Sequence, residues 1–201
     1  MSDIAAPGRR EATKQANRTA ILVAAREVFA DLGYGAATVR DIVRRTDLAT
    51  GTFYNYFPDK EAVFRALLEE SARETRELVR AALRQATDLD GFVREGYRAY
   101  FGYLASDRTL FEMLRRNAGT IRALFDTPAL GAGTDELEAD LRAGIESGVV
   151  PPHDARYMAA AMVGAGFEIA VRMLDSDPPD VEGAVEFAAS LFVGGLSNPT
   201  H

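Results

Sequence analysis

Apolar residues recur at helical spacing through most of the chain, and this pattern predicts an all-α protein of about nine to ten helices. The first helix should run from about Glu11 to Leu32, with Gly33 ending it. Its apolar stripe consists of Ile21, Ala25, Val28, Phe29 and Leu32. Further helices are predicted at about 59–86, 92–104, 110–117, 135–147, 154–174 and 180–196, with a loop or broken helix at 127–134.

Two short helical patterns separated by a tight turn follow the first helix. Thr38 can accept a hydrogen bond from a free amide of the first turn, and Asp47 lies where the chain must reverse. The apolar residues of the first pattern share one face: Val39, Ile42 and Val43. The second pattern covers residues 50–57 and ends before Pro58, because a proline disfavours helical backbone in the residue that precedes it. This arrangement is a helix-turn-helix.

The second pattern directs hydroxyl, amide and phenol groups outward where a solvated helix usually carries Lys and Glu. These residues are Thr50, Thr52, Tyr54, Asn55 and Tyr56. Such groups suit base edges and phosphate oxygens in a DNA major groove, and Gly51 would allow close approach of the backbone. Lys60 can meet a phosphate beside the free amides of the next helix. We therefore predict DNA contacts from this set and from Thr38, Arg40, Arg44 and Lys60. The alternative is a helical hairpin whose aromatic residues are only core.

The run Thr-Val-Arg-Asp-Ile-Val, followed by Gly-Thr-Phe-Tyr-Asn-Tyr-Phe-Pro-Asp-Lys-Glu, resembles the DNA-binding module of the TetR family of bacterial transcription regulators. The resemblance covers roughly residues 11–68. It departs from the family pattern at Ala49, where a Ser cap is usual, and at Asp47, where a turn Gly is usual. Losing the cap costs ~1 kcal/mol unless Thr50 takes that role one residue later.

The resemblance implies a division of the chain into three parts. We expect a flexible arm at 1–10, the helix-turn-helix domain at 11–58 and a C-terminal ligand-binding and dimerisation domain at 59–201. In that last domain, aromatic side chains with few polar tips are concentrated between residues 92 and 125, which suits either a small-molecule pocket or an ordinary helical core. The resemblance favours a pocket formed by Tyr97, Phe101, Leu104, Phe111, Leu114, Asn117 and Phe125. Arg116 and Asn117 would either meet a polar group of the ligand or cap a helix.

The last two predicted helices are mostly apolar, with small residues that permit close packing. They could cover the pocket region of their own chain, or form half of a four-helix bundle in a two-fold dimer. The resemblance favours the dimer, because the family dimerises through its last two helices. The expected interface residues are Met158, Met162, Phe167, Val185 and Phe192.

The net charge of −7 argues at first against binding to nucleic acid. Residues 1–60, however, hold nine basic and seven acidic residues, whereas the remainder holds fourteen and twenty-three. The acidic surplus therefore belongs to the C-terminal part, and DNA would meet the other end. Near the start of the first helix, a basic cluster would either contact phosphates or form a solvated tail: Arg9, Arg10, Lys14 and Arg18.

The absence of Cys excludes disulfides, a thiolate nucleophile and Cys-ligated zinc. No apolar run reaches the ~20 residues that cross a bilayer, so we expect a cytoplasmic protein with no membrane partner. An enzyme finds little support, since His153 and His201 are placed for neither a metal cluster nor a nucleophile–base pair. We expect no catalytic residue, metal or cofactor.

The expected function is a homodimeric, sequence-specific transcription regulator. We expect a repressor, bound to an inverted-repeat operator and released by a small molecule with substantial apolar surface. The alternative is a helical protein that binds a small molecule or partner without specific DNA readout.

Overall fold

The computed structural model describes residues 8–84, 86–124 and 128–196. Every regular element in this part of the chain is an α-helix, which confirms the all-α prediction. The helices are α1 (Arg9–Ala36), α2 (Val39–Val43), α3 (Thr50–Tyr54), α4 (Lys60–Leu83), α5 (Leu89–Ser106), α6 (Arg108–Arg116), α7 (Ala118–Leu124), α8 (Pro128–Glu146), α9 (Ala155–Met173) and α10 (Val181–Leu196). None of these helices is long and apolar enough to cross a membrane.

The helix α1 is broken at Gly33, where the backbone leaves the helical conformation. Four of the five predicted stripe residues are buried, whereas Leu32 is exposed. Gly33 has φ 76° and ψ 158°, and one further helical turn reaches Ala36 before the chain becomes extended at Ala37. Gly33 therefore interrupts the helix, as glycine readily does because it has no Cβ, but it does not end it.

The predicted helix-turn-helix is present, with a shorter second helix than expected. Phe53 and Ile42 are fully buried, and Phe57 nearly so. The helix α3 has five residues, and beyond it the amide of Tyr56 bonds the carbonyl oxygen of Phe53 in a tighter turn. The helical hydrogen bonding thus continues to Phe57 as predicted, although regular α-helix stops at Tyr54.

The chain forms two compact units. The first contains the described residues up to Leu68 together with Glu112–Ile121, and the second contains Glu69–Phe111 and the described residues after 121. The helices α4, α6 and α7 therefore each contribute residues to both units, and the first unit extends past the boundary expected at residue 59. In the second unit, α5 packs on α10 and α8 packs on α9.

The loop or broken helix expected at 127–134 is wrong for the part that the structure describes. Residues 128–146 form the single helix α8, which begins at Pro128. Proline at the first helical position costs no hydrogen bond, because that amide has no partner within the helix. The sequence Pro128, Gly131 and Gly133 therefore marks a helix start where we expected an interruption.

Replacing Gly33 with Ala should lower the free energy of unfolding by about 1–3 kcal/mol, because only glycine adopts this backbone region without strain. A Cβ would have room, since the nearest side-chain atom, Arg116 Cδ, would lie 3.5 Å away. The control is Gly35→Ala, one half-turn later, where a Cβ would meet nothing within 4 Å. Urea unfolding measures both variants; equal stabilities would contradict the role assigned to the Gly33 backbone.

Candidate nucleic-acid interface

The short helix α3 separates a buried side from an exposed polar side. Phe53 is 0% exposed, whereas the next residue, Tyr54, is 54% exposed. Of the other predicted contacts, Thr50, Gly51 and Asn55 are exposed, while Thr52 and Tyr56 are half-buried. The structure thus brings the predicted hydroxyl, amide and phenol groups together on one accessible surface, at a helix small enough to enter a major groove.

Two contacts hold α3 and its following turn against α1. The side-chain amide of Asn17 donates to the Tyr56 hydroxyl at 3.3 Å. The guanidinium of Arg18 lies 5.5 Å from the centroid of the Phe57 ring, a cation–π contact. Arg18 is therefore not part of a loose basic tail, and Tyr56 presents its hydroxyl from a fixed position.

The start of α2 is capped as predicted. The Thr38 hydroxyl accepts from the Asp41 amide at 3.2 Å, and the Asp41 carboxylate accepts from the Thr38 amide at 3.0 Å. This reciprocal pair is a capping box. The hydrogen bond from the Thr38 side chain also holds the pKa of Asp41 below its ordinary value. Thr38 is exposed but has this local role; a DNA contact from it stays a prediction.

The arginines in α2 and directly after it differ in whether they are paired with other side chains. Arg40 and Arg44 are exposed at the surface. Arg45 instead pairs with α1, since its Nη2 lies 2.7 Å from Asp31 and its Nη1 lies 3.5 Å from Glu27. The pair of predicted cations therefore stays accessible, while their neighbour fixes α2 to α1.

The start of α3 lacks a side-chain cap. Ala49 occupies the N-cap position, and no side chain bonds the amides of the first turn there. Thr50 is the first helical residue, so it does not take over the capping role.

Lys60 has different partners from the phosphate predicted for it. Its Nζ donates to the carbonyl oxygens of Tyr34 at 2.7 Å, Gly35 at 3.4 Å and Ala37 at 2.9 Å. The same ammonium lies 4.6 Å from the centroid of the Tyr34 ring. An ammonium has three N–H groups, and all three are directed at the protein. The sequence could not show this, because these partners lie 23 to 26 residues earlier in the chain.

Four of the predicted pocket residues are packed core of the second unit: Tyr97, Phe101, Leu104 and Phe111. The rings of Tyr97 and Phe101 stack with centroids 5.2 Å apart, and the Tyr97 hydroxyl donates to the Met162 carbonyl oxygen at 2.9 Å. A residue that lines a solvent-sized cavity retains accessible surface, which these four largely lack. Leu114 is half-buried and belongs to the first unit. Phe125 lies outside the described residues.

The carboxamide of Asn117 is used within the first unit. Its Oδ1 accepts from the Tyr34 amide at 2.5 Å, and its Nδ2 donates to the carbonyl oxygens of Phe29 at 3.1 Å and Met113 at 2.7 Å. Asn117 is buried. With both amide hydrogens engaged, it has no donor left for a ligand, so its predicted place in the pocket is not supported.

Tyr100 is a polar group of the second unit that we did not predict as a pocket residue. Its side chain is half-buried, yet burial raises the pKa of its phenol above the ordinary value. None of the described residues forms a hydrogen bond with its hydroxyl. By contrast, the Tyr103 hydroxyl donates to Glu74 at 2.9 Å, and burial raises the pKa of Tyr103 to about 12.

Three of the five predicted interface residues are buried within one chain: Met162, Val185 and Phe192. Their side chains pack inside the second unit, so they cannot also form a free surface. Met158 and Phe167 are half-buried. Among the described side chains of the last two helices, the exposed large apolar ones are Tyr157 (75%), Phe187 (61%) and Leu191 (50%).

The capped α2, the tight turn and the polar face of α3 define a DNA-binding protein of the helix-turn-helix class. Residues 21–67 match the family model for bacterial regulatory proteins of the tetR family. The HTH-type transcriptional repressor Rv1474c of Mycobacterium tuberculosis is 33% identical over 132 residues, covering 64% of this chain and 68% of that protein.

Two further similarities extend over most of the chain. The HTH-type transcriptional activator FasR of Mycolicibacterium smegmatis is 28% identical over 190 residues, covering 90% of this chain and 83% of that protein. The solved structure of FadR from Bacillus subtilis, in complex with stearoyl-CoA, has a TM-score of 0.72 at 22% identity and covers 88% of this chain and 98% of that chain. The chain therefore belongs to the TetR family and is a DNA-binding transcriptional regulator.

Removing the exposed polar groups of α3 should weaken specific DNA binding without unfolding the protein. We expect Tyr54→Phe and Asn55→Ala each to reduce affinity for the specific site about 5- to 150-fold, the range of one base contact. Unfolding free energies should change by no more than about 0.5 kcal/mol, as at other exposed positions. Binding to a random duplex serves as the internal control and should barely change.

Phe53, the buried neighbour of Tyr54, should affect stability strongly when it is replaced. Phe53→Ala should lower the unfolding free energy by about 3–5 kcal/mol, because it removes a buried aromatic ring. If Tyr54→Phe and Asn55→Ala left specific affinity unaltered, the polar face of α3 would not be the reading surface.

Proposed function

We propose that this regulator binds an inverted-repeat operator as a homodimer and represses transcription until a small molecule with substantial apolar surface releases it. The observation that carries the DNA-reading part is the two-sidedness of α3, with Phe53 buried and Tyr54 exposed one residue later. A helical protein that bound only a small molecule would gain nothing from displaying phenol, hydroxyl and amide groups there. This face favours DNA readout over the alternative without it.

The proposed dimer rests on the apolar residues that the last two helices leave exposed. Tyr157 on α9, and Phe187 and Leu191 on α10, are more exposed than apolar side chains in a finished core. Exposed glycines, Gly164 on α9 and Gly194 on α10, would allow a second copy to approach closely. A two-fold axis would place the same face of both subunits in contact, and it would match two half-sites on DNA.

The proposed effector site lies in the second unit around Tyr100. Its hydroxyl has no partner among the described residues, while the helices around it are rich in apolar side chains. Pockets for small molecules combine apolar walls with a few polar groups that fix orientation. The structural neighbour from Bacillus subtilis was solved with stearoyl-CoA. These observations support a long acyl chain as the effector class.

The Mycobacterium tuberculosis relative is named a repressor, whereas FasR is named an activator. Effector and operator are linked in either case. If the effector weakens DNA binding by some factor, DNA must weaken effector binding by the same factor.

Selection from a random DNA pool should enrich an inverted repeat. Affinity for it should fall roughly 10³- to 10⁵-fold between 50 and 200 mM salt, as expected for ~6–10 phosphate contacts. The dimer requirement is tested with Phe187→Glu, which should give a monomer that binds half-sites weakly. The control Leu78→Glu adds the same charge at another exposed apolar residue and should remain dimeric. Absence of any enriched sequence would rule out the proposed function.

Stearoyl-CoA should release the protein from the selected operator. Coenzyme A alone should not, because the proposed site in the second unit recognises the acyl chain. Tyr100→Phe should weaken the acyl ligand about 2- to 12-fold, the range of a single neutral hydrogen bond. Tyr157→Phe removes the same hydroxyl from an exposed site and should leave ligand affinity unchanged. Isothermal titration measures both. Release by coenzyme A alone would overturn the acyl assignment.

A further inference from the structure

The segment from Gly33 to Ala37, here termed the corner segment, joins α1 to the helix-turn-helix. Its backbone leaves the regular helical path at Gly33 and becomes extended at Ala37, so several of its polar groups lack ordinary helical partners. The helix α2 starts directly after it, at the Thr38 cap. The conformation of this segment therefore sets where α2, and α3 after it, begin.

Lys60 donates hydrogen bonds to the carbonyl oxygens of the corner segment. Its ammonium bonds three carbonyl oxygens of this segment, those of Tyr34, Gly35 and Ala37. Charged donors form the stronger hydrogen bonds. A cation bonded to the carbonyls at a helix end is also favourably placed in the field of the helix dipole.

Asn117 binds the backbone of the corner segment and of the helical turn before it. Its Oδ1 accepts from the Tyr34 amide, while its Nδ2 bonds the carbonyl oxygen of Phe29, in the last regular turn of α1. It therefore connects the backbone before the Gly33 break with the backbone after it. A Cβ at Gly33 would lie 3.7 Å from Asn117 Oδ1, which shows how closely the side chain follows the break.

The Tyr34 ring packs on two aromatic residues of the first unit. Its centroid is 4.9 Å from that of Phe64 and 5.9 Å from that of Phe29. The Tyr34 carbonyl oxygen thus accepts a hydrogen bond from Lys60, and its amide donates one to Asn117. Its ring packs on the core. One residue of the corner segment is held in three directions.

We propose that Lys60 and Asn117 are positioning residues for DNA recognition, which hold the corner segment from its two sides, and that Lys60 acts through this segment and not as a phosphate ligand. The proposal rests on the proposed function, because its effect is on operator binding. It assigns specificity to two residues whose polar groups face the protein.

The salt dependence of operator binding distinguishes the two roles for Lys60. A phosphate ligand removed from both subunits lowers the log–log salt slope by about 1.8, because each neutralised phosphate contributes about 0.9. We expect Lys60→Met to leave the slope unchanged and to lower the ratio of operator to random-duplex affinity roughly tenfold or more, the effect of one charge-assisted hydrogen bond. Arg44→Met, which removes an exposed cation at the C-terminal end of α2, is the matched control and should lower the slope.

Asn117→Leu tests the other side without changing charge. It should lower the same affinity ratio at an unchanged slope, and the double variant should lose less than the product of the two single losses, because both act on one segment. Lys60→Gln, a milder neutral variant, replaces Lys60→Met if the latter does not fold.

Two results would overturn the proposal. One is a reduced slope with equal losses on operator and random duplex, which identifies Lys60 as a phosphate ligand. The other is a lowered melting temperature with an unchanged affinity ratio, which limits both residues to stability. Failure of the proposed function is separate, since wild-type protein would then select no operator at all.

Discussion

The burial of Phe53 is the interaction on which DNA reading by this protein depends. An isolated helix of five residues is unstable in water, because nucleation costs more than so few hydrogen bonds return. The helix α3 therefore exists because Phe53 and Phe57 are packed into the first unit. The side chains that face outward at Thr50, Tyr54 and Asn55 inherit their orientation from that packing, so core and reading surface are two sides of one helix.

Polar contacts then fix how this helix and its neighbours are oriented. Individually, exposed ion pairs such as Arg45 with Asp31 stabilise a protein little, typically by less than ~1 kcal/mol. Their value here is geometric, since each joins α1 to an element of the helix-turn-helix. The bonds of Lys60 and Asn117 to the corner segment differ, because they satisfy backbone groups that the Gly33 break removes from the helical ladder. Gly33 therefore breaks the helix, and the side chains of Lys60 and Asn117 supply hydrogen-bond partners for the backbone groups left free.

The sequence was sufficient for features with local causes and insufficient for those with distant ones. The Thr38 cap and the buried Phe53 follow from spacing and from residues within one turn of each other. Gly33 was recognised as a special position, but we expected α1 to end there, whereas the helix is only interrupted. The partners that Lys60 and Asn117 have in α1 and the corner segment lie 23 to 88 residues away, so this bonding could not be predicted. For the same reason Met162, Val185 and Phe192 were placed on an interface, although packing within the chain buries them. Nor could the sequence show that the Tyr100 hydroxyl has no partner among the described residues, because that depends on how neighbouring helices pack.

A crystal structure of the protein bound to its selected operator would show whether the polar face of α3 reads DNA and whether Lys60 stays on the corner segment. In that complex, Tyr54 and Asn55 should lie at base edges in the major groove, while Lys60 Nζ should keep its bonds to the carbonyl oxygens of Tyr34 and Ala37. A complex in which α3 lies outside the groove would contradict the reading face. One in which Lys60 has left those carbonyls for a phosphate would contradict the role of the corner segment.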